Sequence, residues 1–369
     1  HLIFIVKIKN NMKVCILGNN LSGLTLAKSL VNQNIYVDLL MQKKDIKISK
    51  SRTLGISKSN IDYFNNHIIN IEKLLWKLKK IEIFSDKNKN KELLNFRDAN
   101  EELFSIIKNE ELSKLLEKNL LKNKFFKKKL FNSKRLSFVK EYDLVINCDY
   151  SHAINKKYFS KKIIKNYESF AYTTIITHEK ILNDVAIQIF TKMGPLAFLP
   201  ISNNQTSIVF SVYNFGIVNE NIEEFIRIYG YKYKIKKINK IEKFKLKSSH
   251  LRSYYYKNIL AFGDLLHKIH PLAGQGFNMT IRDIKILNNI IKNRHELGLP
   301  LDESVNYEFE NSLKHKNFIF SNGIDLIHEI FKLERKTGSN ILSKSIQTIV
   351  SNPSVNKMFT KIADKGILL

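Results

Sequence analysis

KVCILGNNLSGLTLAKSLVNQNIYVDLL, residues 13–40, decides the fold. VCIL at 14–17 is a short continuous apolar run, the pattern of a strand buried on both faces of a parallel sheet. Leu24, Leu26, Ala27, Leu30 and Val31 then recur with helical spacing, and Ile35–Leu40 is apolar again. Two such runs with a helix between them, in about thirty residues, form a strand-helix-strand crossover. The turn after the first strand is Gly18-Asn19-Asn20-Leu21-Ser22-Gly23. Gly18 allows a tight turn and Gly23 lets helix and strand pack closely. The helix start aims free amides and its positive dipole end at an anion, which in this kind of unit is a pyrophosphate. The middle glycine of the usual G-x-G-x-x-G is Asn20, a residue type that tolerates unusual backbone angles, so the turn is expected to survive. The acidic residue expected at the end of the second strand, for ribose hydroxyls, is absent. Met41 and Gln42 stand there, and Asp38 comes too early. A plain strand-turn-helix without a nucleotide fits this stretch as well.

A second block, GDLLHKIHPLAGQGFN at 263–278, follows the apolar strand ILAF and opens a helix. Asp264 at the strand end can accept a bond from a ribose hydroxyl. Gly274 and Gly276 let backbone pass close to a flat ring, and the helix start faces developing negative charge. His267 and His270 read as structural, since their spacing lacks a carboxylate for a metal site. Between the two blocks, YDLVIN at 142–147 is another buried strand, and 170–213 alternates as antiparallel strands around a GPLAFLP turn. A helix is expected at Glu111–Leu121, a solvated face at Lys124–Lys129, and mostly helix over 302–369.

The chain has 369 residues with 44% hydrophobic and 11% aromatic side chains, enough for a sizeable core and more than one domain. Cys15 and Cys148 lie in buried strands and read as core thiols; no zinc spacing is present, and a reducing compartment is the natural reading. The net charge of +27 suggests nucleic acid, but only eight of the 61 basic residues are Arg, and readers of phosphate and base edges lean on Arg. The lysines are spread along the whole chain, so no nucleic-acid partner is expected. No apolar stretch approaches the roughly 18 residues needed to span a bilayer. Residues 1–11 read as a non-native leader, with Met12 directly before the first motif.

GDLLHKIHPLAGQGFNMTIRD (263–283) resembles the GD…HPxxGQGxNxGxxD pattern of flavin-dependent aromatic-ring monooxygenases, and more narrowly the ubiquinone-biosynthesis hydroxylases. SRTLGISKSNIDYF (51–64) resembles that family's Arg-containing segment. YDLVINCDYSHAINKKYF (142–159) falls where the family has its Asp-Gly segment, and GPLAFLPISNNQTSIVFSV (194–212) resembles its substrate-sheet block. NPSVNKMFTKIADKG resembles its last helices. Asp149-Tyr150 stands in place of Asp-Gly, and Asp149 reads equally as a turn cap.

The resemblance implies an α/β fold. It has a Rossmann-like FAD-binding domain, an inserted antiparallel-sheet substrate domain and a helical C-terminal segment. On this reading 12–65, 136–168 and 250–300 form the discontinuous FAD domain. Residues 66–135 and 169–249 form the substrate domain and connecting helices, and 301–369 the C-terminal segment. The implied cofactor residues are Gly18, Asn20, Ser22 and Gly23 at the pyrophosphate, and Arg52 at the phosphate or ribose. Asp264 falls at the ribitol or pyrophosphate, and Pro271, Gly274, Gly276, Phe277 and Asn278 around the isoalloxazine. No catalytic side chain and no metal site are assigned. The implied activity is FAD-dependent hydroxylation of a prenylated phenol in ubiquinone biosynthesis, through a hydroperoxyflavin, with NADPH or NADH as electron donor and molecular oxygen. A quinone precursor, a quinone-biosynthesis complex and peripheral contact with the inner membrane from the cytoplasmic side are the implied partners and place. The alternative is a non-catalytic flavoprotein-like scaffold subunit, motivated by Asn20, Met41 and Tyr150.

Overall fold

Burial explains the first sheet. β1 (Lys13–Leu17) and β2 (Tyr36–Met41) are buried along Val14–Leu17 and Val37–Leu40, so both faces are covered, as in a parallel sheet between helices. α1 (Leu21–Val31) crosses between them as the spacing predicts. The computed structural model describes residues 12–42, 51–85, 92–96, 104–130, 137–213, 221–269, 275–337, 361 and 364–365. After β2 come β3 (Thr53–Ser57), α2 (Lys58–His67), β4 (Trp76–Lys77), β5 (Lys80–Ser85), β6 (Glu92–Phe96), β7 (Phe104–Lys108), α3 (Asn109–Leu120) and β8 (Phe126–Leu130). Next are β9 (Leu144–Asn147), α4 (Ala153–Tyr158), β10 (Lys162–His178), β11 (Val185–Phe190), β12 (Pro195–Ser202), β13 (Gln205–Tyr213), α5 (Ile222–Tyr229) and β14 (Ile235–Ile238). The described chain closes with β15 (Glu242–Leu251), β16 (Tyr255–Tyr256), β17 (Ile259–Ala261), β18 (His267–Lys268), α6 (Gln275–Glu296) and α7 (Glu303–Thr337).

The first sheet runs β16-β17-β9-β1-β2-β8, parallel except for the β16–β17 hairpin. In chain order its parallel strands stand third, second, first, fourth and fifth. That is the order of a dinucleotide-binding sheet, and it reverses at β1. The carboxyl ends of β1, β9 and β17 therefore open on one crevice, where α/β sheets bind ligands.

The charged run at 124–129 is largely strand: β8 closes the sheet edge beside β2, a place where lysines are tolerated because the outer face meets water. The helix expected at Glu111–Leu121 is α3, and Leu112, Leu116, Leu120 and Phe126 join the core of the parallel sheet. So 109–130, read from sequence as part of the inserted domain, packs with the nucleotide sheet. Conversely, 162–168, read as nucleotide domain, begins the long strand β10 of the second sheet.

That second sheet runs β18-β15-β10-β13-β12-β11-β5-β6, with β14 also on β10, and is antiparallel except for β5–β11. Ile187, Leu196, Phe198, Ile208 and Phe210 point to one face and bury Ile226 of α5. Ile175, Ala186 and Ile201 point to the other and pack on Ile106 of the small sheet β3-β7-β4. The Gly194-Pro195 turn joins β11 to β12, with Gly194 N–H donating to the Thr191 carbonyl at 3.2 Å.

Asp38, 4% exposed in β2, accepts hydrogen bonds from Tyr142 at 2.7 Å and from Lys129 at 2.8 Å. Burial would raise its carboxyl, but these bonds and the nearby lysines hold it below the usual range. A carboxyl lowered in the fold stabilises it above its unfolded value, near 4, and that stability is lost as pH falls through the folded value. Tyr142→Phe removes one donor, so acid unfolding followed by circular dichroism should begin at a higher pH than in the parent. An unchanged acid midpoint would show that the bond contributes nothing.

Candidate functional site

The crevice at the β1–β9–β17 ends gathers the two sequence blocks that lie far apart in the chain. Gly18 follows β1 with φ +104°, a conformation L side chains rarely adopt, and a Cβ there would lie 3.0 Å from Asp149 Cβ after β9. A Cβ on Gly23 would sit 2.4 Å from the Gly18 carbonyl, so this helix start needs glycine for close approach. A Cβ on Gly263 would lie 2.8 Å from that of Ser22, which puts the turn after β17 directly against α1. Asp264 follows on this turn with its side chain exposed. Burial raises the Cys148 thiol, and the Asp264 and Asp149 carboxylates reinforce it.

Asn20 has an unexpected role. Its backbone is plainly extended, at φ −86° and ψ 172°, so no unusual angle is required. Its side chain does the work instead. Oδ1 accepts the Gly23 N–H at 2.9 Å as helix cap, and Nδ2 donates to the Cys148 carbonyl at 2.6 Å. One amide of the first turn is thereby used, while those of Leu21 and Ser22 stay beyond the reach of any carbonyl of the helix. Asp149 caps its own turn, accepting from Ser151 N–H at 2.8 Å and Ser151 Oγ at 2.7 Å. Tyr150, in the family's glycine position, is 45% exposed with Lys162 Nζ 4.4 Å from its ring centre.

The start of α6 forms the other side. At Gly276 a Cβ would meet nothing within 4 Å among the described residues. Beside it Gln275 is buried, and its Oε1 has no hydrogen-bond partner there. Open space next to an unpartnered buried acceptor is what a bound ligand would fill. Phe277 turns away, its ring buried in the core 6.5 Å from that of Phe64. Asn278 is fully buried and its amide is engaged by protein: Oδ1 accepts from Ser57 N–H and Asn60 Nδ2 at 3.0 Å each, and Nδ2 donates to the Gly55 carbonyl at 2.9 Å. It fastens α6 to the β3–α2 corner. Arg52 is exposed at the start of β3, between Ser51, bonded to Glu242 of the second sheet, and Thr53, bonded to Ser207. Pro271 and Gly274 lie outside the described residues.

One group escaped the sequence reading. His267 is buried with Nε2 2.6 Å from Asp283 Oδ2, and Asn317 Nδ2 donates to Oδ1 of the same carboxylate at 3.1 Å. The carboxylate thought missing near this histidine arrives from α6. His250, paired with His267 across β15–β18, is pushed down to about 4 by burial and by that neighbour. Among the described residues no group of three or more His, Cys, Asp or Glu could hold a metal ion, and no helix is long and apolar enough to cross a membrane.

No protein-family model matches the chain. The 3-demethoxyubiquinol 3-hydroxylase of Escherichia coli is 29% identical over 160 residues, 40% of this chain and 40% of that protein. The ubiquinone biosynthesis monooxygenase COQ6 of Drosophila melanogaster is 21% identical over 262 residues, 59% of this chain and 55% of that one. The chain thus spans about half the length of the relatives it matches. Among solved structures, p-nitrophenol 4-monooxygenase PnpA of Pseudomonas putida superposes with a TM-score of 0.74 at 10% identity, over 96% of this chain and 100% of that one. HpxO of Klebsiella pneumoniae, complexed with FAD and uric acid, gives 0.71 at 12% identity, over 96% and 97%. The chain has the fold of the FAD-dependent monooxygenases, and its sequence is related to the ubiquinone-biosynthesis hydroxylases.

Proposed function

We propose that this protein binds FAD non-covalently and hydroxylates the aromatic ring of a prenylated phenol precursor of ubiquinone, using NADPH or NADH and molecular oxygen. One observation carries the reading: the Gly18 turn, Asp264 and the open space at Gly276 converge where the parallel sheet reverses its order. The Leu21 and Ser22 amides would hold the pyrophosphate and Asp264 a cofactor hydroxyl. Gln275 and Gly276 would border the flavin ring. Met41 and Gln42, at the end of β2, would stand at the adenosine end. FAD supplies the oxygen activation; the protein orients the ring and excludes water.

Asp264→Ala tests the cofactor geometry. The loss of a charged hydrogen bond costs about 1.5–3 kcal/mol, roughly one to two decades in affinity. The variant should fold, purify with much less flavin and be partly restored by excess FAD, as read by flavin fluorescence titration. Parent-like binding would make Asp264 a plain strand-end residue.

The prenyl tail calls for a lipid surface, and 61 basic against 34 acidic residues suit an anionic one. Flotation with anionic vesicles should fall as salt rises and be weak with neutral ones. Equal binding to both at every salt concentration would count against peripheral contact. The scaffold reading, favoured by Tyr150 in the glycine position, predicts bound flavin without product.

A further inference from the structure

The register of the second sheet lines up one row of side chains across four strands. Thr173 of β10 pairs with Val209 of β13, Val209 with Ala197 of β12, and Ala197 with Gln188 of β11. Directly opposed residues in antiparallel strands point to the same face. The neighbours Ile187, Phe198 and Ile208 point to α5, so this row points the other way, toward β3 and the nucleotide sheet. All four members are only half-buried, whereas in the next row on that face Ile175 and Ser207 are buried and Leu199 is half-buried.

The register continues past these four residues, to Glu242 of β15 beside Thr173 and to Ile83 of β5 beside Gln188, and the two outer members of the four are unlike. At one, Ser51 Oγ lies 3.1 Å from Thr173 Oγ1 and donates to Glu242 at 2.9 Å, so these polar groups are already engaged beside Arg52. At the other, Gln188 has no hydrogen-bond partner for its side-chain amide among the described residues. Between them Ala197 and Val209, with half-buried Leu199 on the same side of β12, form a low apolar floor. With strands spaced by about 4.8 Å, the floor is as wide as one aromatic ring, and Gln188 separates it from Ile83 of β5.

We infer that Gln188 orients the substrate ring, its side-chain amide hydrogen-bonding the phenolic oxygen while the ring lies on Ala197, Val209 and Leu199. This rests on the hydroxylase reading above. An amide suits the task because it can donate to a phenolate oxygen or accept from a phenol hydroxyl without changing charge. A small floor suits it too, since bulk at Ala197 would lift the ring.

The test uses FAD-loaded protein and 2-prenylphenol as probe. Gln188→Leu should keep the parent's flavin content, thermal midpoint and rate of flavin reduction. Its KM for the probe should rise about tenfold, as expected for one lost hydrogen bond, and less product should form per NAD(P)H consumed. Ala197→Phe should keep its flavin and lose the absorbance change that the probe causes in the parent. A Gln188→Leu protein with the parent's KM and coupling, alongside an active parent, overturns the inference alone. A parent that loads FAD yet neither binds nor hydroxylates the probe overturns the hydroxylase reading and this inference with it.

Discussion

Gly276→Leu purifies folded but without its yellow colour. The expectation follows from an asymmetry at this position. A new Cβ meets no described protein atom within 4 Å. The residue is also at the second position of α6, where leucine is a better helix former than glycine. A loss of flavin with the fold retained therefore points to a ligand in the space beside Gly276. A leucine reaching into a flavin plane excludes the ring altogether, and FAD affinity should fall by more than two decades, beyond the effect of losing one hydrogen bond. Circular dichroism and thermal melting of the apo-protein should match the parent apo-protein. Full flavin occupancy in this variant would remove the α6 start from the cofactor site.

Gly194→Ala should have the opposite signature, a damaged fold whatever the cofactor does. Gly194 has φ +147°, and a Cβ there would sit 1.8 Å from the Ser211 carbonyl oxygen. That carbonyl belongs to β13, so relief requires pulling the β11–β12 turn off the sheet. Backbone strain and overpacking together should cost about 3–5 kcal/mol. Urea unfolding of the two proteins checks this. A stability within about 0.5 kcal/mol of the parent, the range of an ordinary surface change, would show that the turn is loosely held.

The parts of this molecule that were legible in its sequence are those governed by local periodicity. β1, α1 and β2 announce themselves because strands buried on both faces are continuously apolar and their crossover helix is not. The alternation in 170–213 marks half-buried antiparallel strands for the same reason. β8 stayed hidden because it is an edge strand of lysines, whose partner is set by β2 and Asp38 rather than by its own pattern. The Asp283 partner of His267 was invisible because the two lie 16 positions apart with a helix start between them. Asn20 was read for its backbone tolerance, when its contribution is a side chain that bridges helix and neighbouring strand. Asn278 carries the family's motif letter, yet its amide is spent on Gly55, Ser57 and Asn60. A motif marks the position but not the direction in which the side chain points. The row from Thr173 to Gln188 depends on strand register, which no single segment encodes.

The central claim is that this fold, with its altered turn, still carries out flavin-dependent oxygen transfer. FAD-reconstituted protein, given NAD(P)H and 2-prenylphenol under isotopically labelled dioxygen, tests it in one mass spectrum. A product that gains one labelled oxygen on the ring is the predicted result. NAD(P)H consumption that yields only hydrogen peroxide, with the phenol recovered unchanged from protein carrying full flavin, would contradict it.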